Sequence, residues 1–347
     1  MRRALVLGGT GWAGQAIVRA LLSTGAEVTC LARGESGAIP EGARLVRADR
    51  RDPAAYGAVR GDWDEVIEIA YAPELVEPAL DALAERSGHW TLVSTVSVYA
   101  RNDEPGADES AAVVDPADLD QYPDAKVAAE RASAARLGDR LLIARPGLIV
   151  GPGDPTDRFG YWPARFSRSG PALVPAPAGR FVQVIDVADL ATWIAQSSIR
   201  GTIGTANAVG EPVPMADFFR MTAAIAGYEG DLVELDDADL LARGVNYWAG
   251  PRSLPLWLPL TDTGFAQRSA AAFHESGGRL TPIERTVRSV LADELARGID
   301  RERRSGLTAA EERAVIEAAS AHRPPGVTAA AHPRGADRRS RPVPPAS

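Results

Sequence analysis

Apolar runs alternate with amphipathic segments along the first half of the chain. Six short runs are rich in apolar residues and predict buried strands, at residues 4–8, 27–32, 43–49, 65–70, 89–95 and 140–147. Between them, residues 14–24, 73–88 and 123–138 have the spacing of apolar positions that is typical of helices. Strands that alternate with helices in this way predict a parallel sheet covered on both faces, as in a Rossmann-type doubly wound α/β fold.

The pattern changes after Gly147. Proline, glycine and aromatic residues dominate the next thirty positions and indicate a loop with one short helix, before a strand and helix (181–196) and a further strand (201–210) return to the sheet. The rest is mainly helical. We predict a dinucleotide-binding domain at 1–150 joined by 181–210, a smaller and mainly helical substrate-binding region at 151–180 and 211–305, a C-terminal helix at 306–323 and a disordered tail at 324–347.

Charge and composition limit the partners. A formal net charge of -8 and a pI near 5.2 argue against nucleic acid. The first apolar run, Ala4 to Leu7, is too short for a signal peptide, and no later run approaches a membrane-spanning length. The four histidines show no metal-ligand spacing. We therefore expect a cytoplasmic protein with a small-molecule partner, no membrane or nucleic-acid partner and no metal.

A glycine-rich turn follows the first predicted strand. Gly8, Gly11 and Gly14 are spaced as GxxGxxG, with Thr10 and Trp12 between them, and a helix follows. Glycine at these positions permits a tight turn, close approach of a pyrophosphate and close packing of the helix on the strand. The alternative is an ordinary glycine-rich connection, but the strand–turn–helix context favours dinucleotide binding.

The end of the second strand bears on which dinucleotide is bound. An acid usually stands there in NAD sites, where it bonds the ribose 2′-hydroxyl. This chain has Ala32 followed by Arg33, so no acid repels a 2′-phosphate and a guanidinium is available to pair with one. A solvated surface arginine is the alternative. We predict a preference for NADP(H), with NAD(H) as the second choice.

One lysine stands out against 37 arginines. Lys126 lies four residues after Tyr122 at a predicted helix start, so the two side chains share a helix face. A nearby ammonium and a helix N-terminus both favour the phenolate, so we expect the pKa of Tyr122 to be lowered. The hydroxyls of Ser94, Thr95 and Ser97 follow the fifth strand, at the sheet edge where ligands bind.

These features together resemble the extended short-chain dehydrogenase/reductases, the NAD(P)-dependent epimerase/dehydratase-like branch. The glycine triplet, "STVSVYA", Tyr122-x-x-x-Lys126 and "RPGLIVGPGD" carry the resemblance, which runs from residue 1 to about 300. It implies that Tyr122 is the catalytic acid/base, that Lys126 binds the nicotinamide ribose and that Thr95 is the catalytic hydroxyl. It also implies a homodimer and adds Asp49, Ala70 and Pro146 to the cofactor site.

The chain also departs from the sugar-nucleotide enzymes of that family. Val96 and Ser97 follow Thr95 where dehydratases have Asp-Glu, so dehydration is not expected. Leu148 and Gly179 replace an asparagine and an arginine that bind a nucleotide diphosphate, which favours a smaller and more apolar substrate. The substrate-side candidates are Tyr71, Ser97, Arg158, Tyr161 and Trp162. Core packing is the alternative for the aromatic residues, and a solvated helix face is the alternative for Arg158.

Three functional hypotheses remain after this reading. The first is an NADP(H)-dependent reductase or dehydrogenase that acts on a carbonyl or alcohol of a small, fairly apolar or cyclic metabolite. The second is an epimerase that oxidises and re-reduces its substrate with a retained cofactor. The third is a dinucleotide-sensing protein without turnover, which the presence of both Tyr122 and Lys126 disfavours.

Overall fold

A computed structural model describes residues 1–321 of the protein. Seven strands form the central sheet: β1 (Arg3–Leu7), β2 (Glu27–Ala32), β3 (Arg44–Arg47), β4 (Glu65–Glu68), β5 (Trp90–Val93), β6 (Leu141–Pro146) and β11 (Gly204–Ala208). Eight shorter strands lie outside it: β7 (Leu148–Val150), β8 (Ala172–Pro175), β9 (Phe181–Val182), β10 (Val184–Asp186), β12 (Val213–Pro214), β13 (Leu232–Leu235), β14 (Asn246–Trp248) and β15 (Ser253–Pro255).

Ten α-helices accompany these strands in the described part of the chain. They are α1 (Trp12–Ser23), α2 (Pro73–Leu83), α3 (Tyr122–Leu137), α4 (Tyr161–Phe166), α5 (Val187–Arg200), α6 (Met215–Ala226), α7 (Asp237–Ala242), α8 (Ala271–Glu275), α9 (Ile283–Arg297) and α10 (Ala309–Ala321).

The central sheet is parallel throughout, in the order β11-β6-β5-β4-β1-β2-β3. Strand order runs in opposite directions from β1, toward β2 on one side and β4 on the other. Such a reversal opens a crevice at the carboxyl ends of the strands, where ligands bind in open α/β sheets. The doubly wound Rossmann-type fold predicted from the sequence is confirmed.

Alternation along β1 explains how both faces of the sheet are covered. Leu5 and Leu7 pack with residues of α2 and α3, whereas Val6 packs with residues of α1 and α5 on the opposite face. Successive side chains of a strand point to opposite faces, so a strand between two helical layers needs apolar residues at every position.

A second apolar core lies beyond the sheet. It joins α4, α6 and α9 and is rich in aromatic side chains, including Phe159, Trp162, Phe218 and Trp257. Two short parallel pairs, β8 with β13 and β14 with β15, close this part of the molecule. The chain runs into it directly from the end of β6, so its residues stand beside the carboxyl edge of the sheet.

The second half of the chain departs from the sequence prediction in several places. Of the predicted strand and helix at 181–196, the helix α5 does pack on the central sheet, but the strand prediction was wrong: β10 pairs with β7 and β9 with β12, and the next strand to join the sheet is β11. Strand β8 was missed because its partner β13 follows about sixty residues later. The predicted C-terminal helix begins three residues late, at Ala309, and the predicted tail lies outside the described residues.

Within residues 1–321, no helix combines the length and the apolar character needed to cross a bilayer. The same part of the chain contains no group of three or more His, Cys, Asp or Glu side chains placed to hold a metal ion.

Candidate active site

Two adjoining depressions occupy the carboxyl edge of the sheet. The nucleotide half, of about 220 Å³, is lined by the β1–α1 turn and by the residues that follow β2, β3 and β4. The reacting half, of about 390 Å³, extends over the ends of β5 and β6 toward the second core. Except for Gly14, the predicted cofactor and catalytic residues divide between these two halves.

The glycine turn has the geometry that a dinucleotide requires. Gly8 has φ of 102°, which favours glycine, and an added Cβ on Gly14 would lie 2.5 Å from the Gly8 carbonyl oxygen. Helix α1 begins at Trp12 with no side chain capping it, so its first N–H groups remain available to an anion. These residues fit a bound pyrophosphate, with Gly14 supplying the close helix–strand contact.

Charged side chains surround the nucleotide half. Arg33 is exposed and pairs with Glu35 at 3.2 Å, and Arg51 lies near Asp49 at 3.9 Å. Asp49 also accepts the Arg51 backbone N–H. Because these ion pairs are solvated, they cost little to exchange for contacts with a ligand.

Beneath this pocket lies a buried pair that sequence reasoning missed. Arg50 bonds both carboxylate oxygens of Glu68 at the end of β4, and Glu68 also accepts the backbone N–H of Ala70. Both charged side chains are almost fully buried. The pair fixes the backbone of Ala70, which lines the nucleotide half.

Tyr122 and Thr95 meet at the reacting half. Tyr122 is the first residue of α3, and Thr95 follows β5 and caps a short 3₁₀ turn by accepting the Ser97 backbone N–H at 3.1 Å. Thr95 also donates to the Ser97 hydroxyl at 3.2 Å. Both side chains line the cleft together with Ser97 and Pro146. The pattern of residues at the sheet edge correctly indicated that these groups assemble.

The pKa of Tyr122 moves opposite to expectation. Partial burial raises it, although Tyr122 is still 42% exposed, while an interaction with the Thr95 side chain and the charge of Arg158 oppose that rise. The expected lowering of this pKa is therefore wrong for the protein alone: the Lys126 ammonium stands 5.8 Å from the ring centroid of Tyr122 and 5.0 Å from that of Tyr71, and its charge does not outweigh desolvation.

Lys126 is one of the most deeply placed groups of the site. It is 3% exposed, and its ammonium donates to the Val93 carbonyl oxygen at 2.6 Å. Burial lowers its pKa to about 8, and the charges of Glu68 and Glu130 partly oppose this. Lysine thus holds a positive charge at the end of β5 that two buried carboxylates support.

A second buried network fixes α3 against the sheet. Glu130, one turn after Lys126, receives two hydrogen bonds from Arg145 of β6, at 3.0 and 2.7 Å, and one from Ser94. Ser94 is therefore a structural partner of Glu130, while Thr95 is the hydroxyl that lies beside Tyr122. Rotation of α3, which would displace Tyr122, would break these bonds.

The substrate-side predictions divide into two groups. Tyr71, Ser97 and Arg158 line the reacting half. Tyr161 and Trp162 do not, which corrects the prediction: they are 2% and 0% exposed and belong to the second apolar core. They share a helix with Arg165 and looked accessible only because the sequence does not show which face of that short helix is covered.

Trp248 and Phe265 also line the cleft. The sequence reasoning counted Trp248 only among aromatic residues that favour an apolar substrate, with core packing as the alternative, and did not name Phe265. Both residues lie 90 to 110 residues beyond Arg158, and their rings contact each other edge to face at 5.4 Å. The proline- and tryptophan-rich sequence around Trp248 could have indicated an aromatic surface. Nothing in the neighbouring sequence indicated that this surface lines the same cleft as Tyr122.

The nearest arginine to the expected diphosphate-binding position serves the fold. Arg180 is 5% exposed and bonds the Asp237 carboxylate at 2.6 Å and the Leu258 carbonyl oxygen at 3.0 Å. Arg180 is therefore engaged within the second core. Its guanidinium does not replace the arginine that was expected at the position of Gly179.

Comparison with known proteins agrees with this geometry. The family model described as the NAD dependent epimerase/dehydratase family matches residues 4–206. The 2'-dehydrokanamycin reductase of Streptomyces kanamyceticus is 27% identical over 309 residues, which cover 81% of this chain and 83% of that protein.

Two solved structures share the fold at low sequence identity. UDP-glucose 4-epimerase of Thermus thermophilus, in complex with NAD, is 19% identical with a TM-score of 0.59 over 84% of this chain and 98% of that one. RMD from Pseudomonas aeruginosa, complexed with NADPH, is 20% identical with a TM-score of 0.58 over 84% and 99%. With the family model spanning more than half of its length, the chain belongs to the NAD dependent epimerase/dehydratase family.

Proposed function

We propose that the protein is an NADP(H)-dependent oxidoreductase. It transfers hydride to or from a carbonyl or alcohol carbon of a small, fairly apolar or cyclic metabolite. The observation that carries this proposal is the meeting of Tyr122, Thr95 and Lys126 in one cleft that adjoins the glycine turn.

Each of these side chains has a distinct task in carbonyl reduction. Thr95 donates a hydrogen bond to the carbonyl oxygen, and Tyr122 gives that oxygen its proton. With a cofactor bound, Lys126 would hold a hydroxyl of its ribose. The nicotinamide would supply the hydride that the carbonyl carbon receives, so that the products are the alcohol and the oxidised nucleotide.

The protonated phenol of Tyr122 suits the reductive direction. A phenol with a raised pKa is protonated at neutral pH, as an ordinary tyrosine also is, so it can give its proton to the carbonyl oxygen. Oxidation of an alcohol requires the phenolate instead. The reverse reaction should therefore become faster as pH rises toward the pKa of Tyr122.

The nucleotide half supports NADP(H) over NAD(H). No acid ends β2, and Arg33 is exposed beside the pocket with an exchangeable ion pair to Glu35. A ribose 2′-phosphate would take over from Glu35 as the partner of this guanidinium.

An epimerase with a retained cofactor is the second candidate, favoured by the family and by the 4-epimerase fold relative. Two observations support the reductase over it. The relative from Streptomyces kanamyceticus is a reductase, and Arg180 is engaged in the second core, away from a diphosphate site.

One measurement separates the two candidates. Freshly purified protein is denatured, any released dinucleotide is identified, and protein without nucleotide is titrated with NADPH and NADH. Exchangeable binding that is tighter for NADPH supports the reductase. NAD⁺ or NADP⁺ that survives purification in stoichiometric amount would contradict it and favour the epimerase, whose cycle never releases the cofactor.

A further inference from the structure

We propose that Arg158 binds a carboxylate of the substrate, so that the substrate is an oxo acid or hydroxy acid. This inference rests on the proposed function for the identity of the reacting carbonyl. It adds a specificity-determining contact on the substrate side of the same cleft.

The charged side chains that line the reacting half are all positive. Among the described residues that line it, Lys126 and Arg158 are cationic and none is an aspartate or glutamate. Lys126 is buried at the end of β5, where its ammonium donates to the Val93 carbonyl oxygen and, on the proposed function, also contacts the cofactor ribose. Arg158 is only partly buried, so it presents the positive charge that remains for the substrate.

Arg158 also lacks the carboxylate partner that most buried arginines of the described chain have. Four of these five buried arginines each hold a carboxylate within 2.7 Å, namely Arg50, Arg145, Arg165 and Arg180, and the fifth, Arg268, bonds the Arg101 carbonyl oxygen and the Asn102 side chain instead. No carboxylate of the described chain lies within ion-pair distance of Arg158. Its side chain makes one hydrogen bond within residues 1–321, from Nε to Thr156 Oγ1 at 3.3 Å, which leaves the two terminal nitrogens for a ligand.

Neighbouring residues hold the Arg158 guanidinium in place, and none of those in the described chain forms an ion pair with it. Asp154 bonds the Thr156 backbone N–H at 2.8 Å and its hydroxyl at 2.9 Å, and Thr156 in turn accepts from Arg158. The Asp154 carboxylate is thus used to orient Thr156. The guanidinium carbon lies 5.2 Å from the ring centroid of Trp248, close enough for a cation–π contact.

Trp248 is itself fixed in an uncommon conformation. Its φ is 67°, which bulky residues rarely adopt, and its backbone N–H bonds the Trp257 carbonyl oxygen at 3.0 Å. Phe265 contacts its ring edge to face. A rigid aromatic surface under a planar fork of donors is suited to a planar anion, and a carboxylate matches the two terminal nitrogens in bidentate geometry.

The position of Arg158 would bring a bound carboxylate close to the reacting groups. Arg158 is near enough to Tyr122 for its charge to oppose the rise of the tyrosine pKa. A carboxylate on Arg158 would therefore direct a carbonyl of the same small molecule toward Tyr122 and Thr95. Apolar contacts with Phe265, Trp248 and Leu148 would cover the carbon skeleton between the two groups.

The test uses a matched pair of probes on the full-length protein saturated with NADP⁺. The probes are 3-oxocyclohexane-1-carboxylate and its methyl ester, which share a ring and a ketone and differ in charge. Their dissociation constants are measured by calorimetry for the wild type, Arg158→Met, Arg158→Lys and Arg136→Met. Arg136 is an exposed arginine of α3 that pairs with Asp81, so its variant controls for loss of a positive charge.

We expect the wild type and Arg136→Met to bind the acid at least about tenfold more tightly than the ester, the value of a charge-assisted hydrogen bond. Arg158→Met should bind both probes equally, with unchanged affinity for NADPH, and Arg158→Lys should restore part of the preference. Equal binding of acid and ester by the wild type, failure of the acid to bind, or a preference that persists in Arg158→Met would overturn the proposal.

Turnover of the same probes separates this proposal from the proposed function. An Arg158-dependent preference in binding supports the carboxylate contact even when NADPH reduces neither ketone. Reduction of acid and ester with equal KM would support the oxidoreductase and overturn the role of Arg158.

Discussion

The two halves of the cleft are built in different ways. The nucleotide half is lined mainly by backbone at the glycine turn and by solvated side chains such as Arg33 and Asp49, which keep exchangeable ion pairs, and its buried arginine, Arg50, is paired with Glu68. The reacting half holds a lysine that is 3% exposed, a partly buried arginine without an ion pair in the described chain, and Trp248 at φ 67°.

This difference shows which half of the cleft lowers the stability of the folded state. Solvated ion pairs and a glycine turn do little to destabilise the folded state. A buried ammonium and a strained backbone do destabilise it, and such features are retained at sites where chemistry needs them. On the proposed function, the nucleotide half is adapted for binding a cofactor, and the reacting half holds charged groups in place before a substrate binds.

Tyr122→Phe should cause the largest loss of function. Removing the acid should lower kcat by roughly 10³-fold, within the range found for general acids, and leave the Kd for NADPH unchanged because the nucleotide half is untouched. Steady-state kinetics and fluorescence titration measure the two quantities. Tyr71→Phe is the matched control, since Tyr71 packs edge-on against Tyr122 at 5.0 Å and should keep most activity. An equal loss in both variants would refute the assignment of Tyr122.

Lys126→Met should stabilise the protein while abolishing turnover. The pKa of Lys126 falls from 10.5 to about 8 on folding, a shift worth about 3 kcal/mol at roughly 1.36 kcal/mol per unit. This cost is fully present below pH 8, where the folded protein carries the charge. It shrinks between pH 8 and 10.5, because there the unfolded chain binds a proton that the folded protein releases.

Urea unfolding at pH 7 and pH 10 measures this effect. The stability gain of Lys126→Met should approach about 3 kcal/mol at pH 7 and be smaller at pH 10. Lys126→Arg keeps the charge and should show no gain, and its wider fork should still cripple turnover. A variant with methionine that is less stable than the wild type at both pH values would show that the buried charge is not costly.

Gly14→Ala should disrupt the nucleotide half through packing. Its new Cβ would lie 2.5 Å from the Gly8 carbonyl oxygen, and overpacking of this kind costs about 1–3 kcal/mol. Thermal denaturation and NADPH titration should both show a loss. At Gly11 the nearest atom to an added Cβ is 3.8 Å away, so Gly11→Ala should keep its stability. Equal melting temperatures for the two variants would contradict the packing argument.

Arg33→Ser should have the smallest and most selective effect. Loss of a charge-assisted contact with the 2′-phosphate should raise the Kd for NADPH by about tenfold or somewhat more. The Kd for NADH should not change, because NADH lacks that phosphate. Arg101→Ser removes another exposed arginine paired with a nearby acid, Asp103, and is the control. Parallel losses for both nucleotides would rule out 2′-phosphate recognition by Arg33.

The predictable part of this site is the part made by short stretches of chain. Gly8, Gly11 and Gly14 act within a single strand–turn–helix unit, and Tyr122 and Lys126 share one turn of α3. Thr95 was found because carboxyl ends of parallel strands meet at one edge. The pairing of Arg50 with Glu68, and of Arg145 with Glu130, was not found, because each pair joins different elements.

The aromatic residues show more clearly that sequence alone does not reveal contacts between distant segments. Trp162 and Trp248 look alike in sequence, each beside a tyrosine in a proline-rich segment. Trp162 is fully buried and donates to the Pro255 carbonyl oxygen at 2.8 Å, whereas Trp248 supports Arg158 at the cleft. Composition could not distinguish a tryptophan of the core from one that lines the cleft, since both roles use the same apolar surface.

The sequence by itself determined the layer order of the fold and predicted the glycine turn and the candidate catalytic residues, because strand alternation, glycine spacing and helix periodicity are properties of neighbouring residues. Only the tertiary structure decided how deeply Lys126 is buried, that burial raises the pKa of Tyr122, and that Arg158 faces the cleft without a carboxylate partner in the described chain. Desolvation and ion pairing depend on which distant segments meet, and local patterns do not specify that.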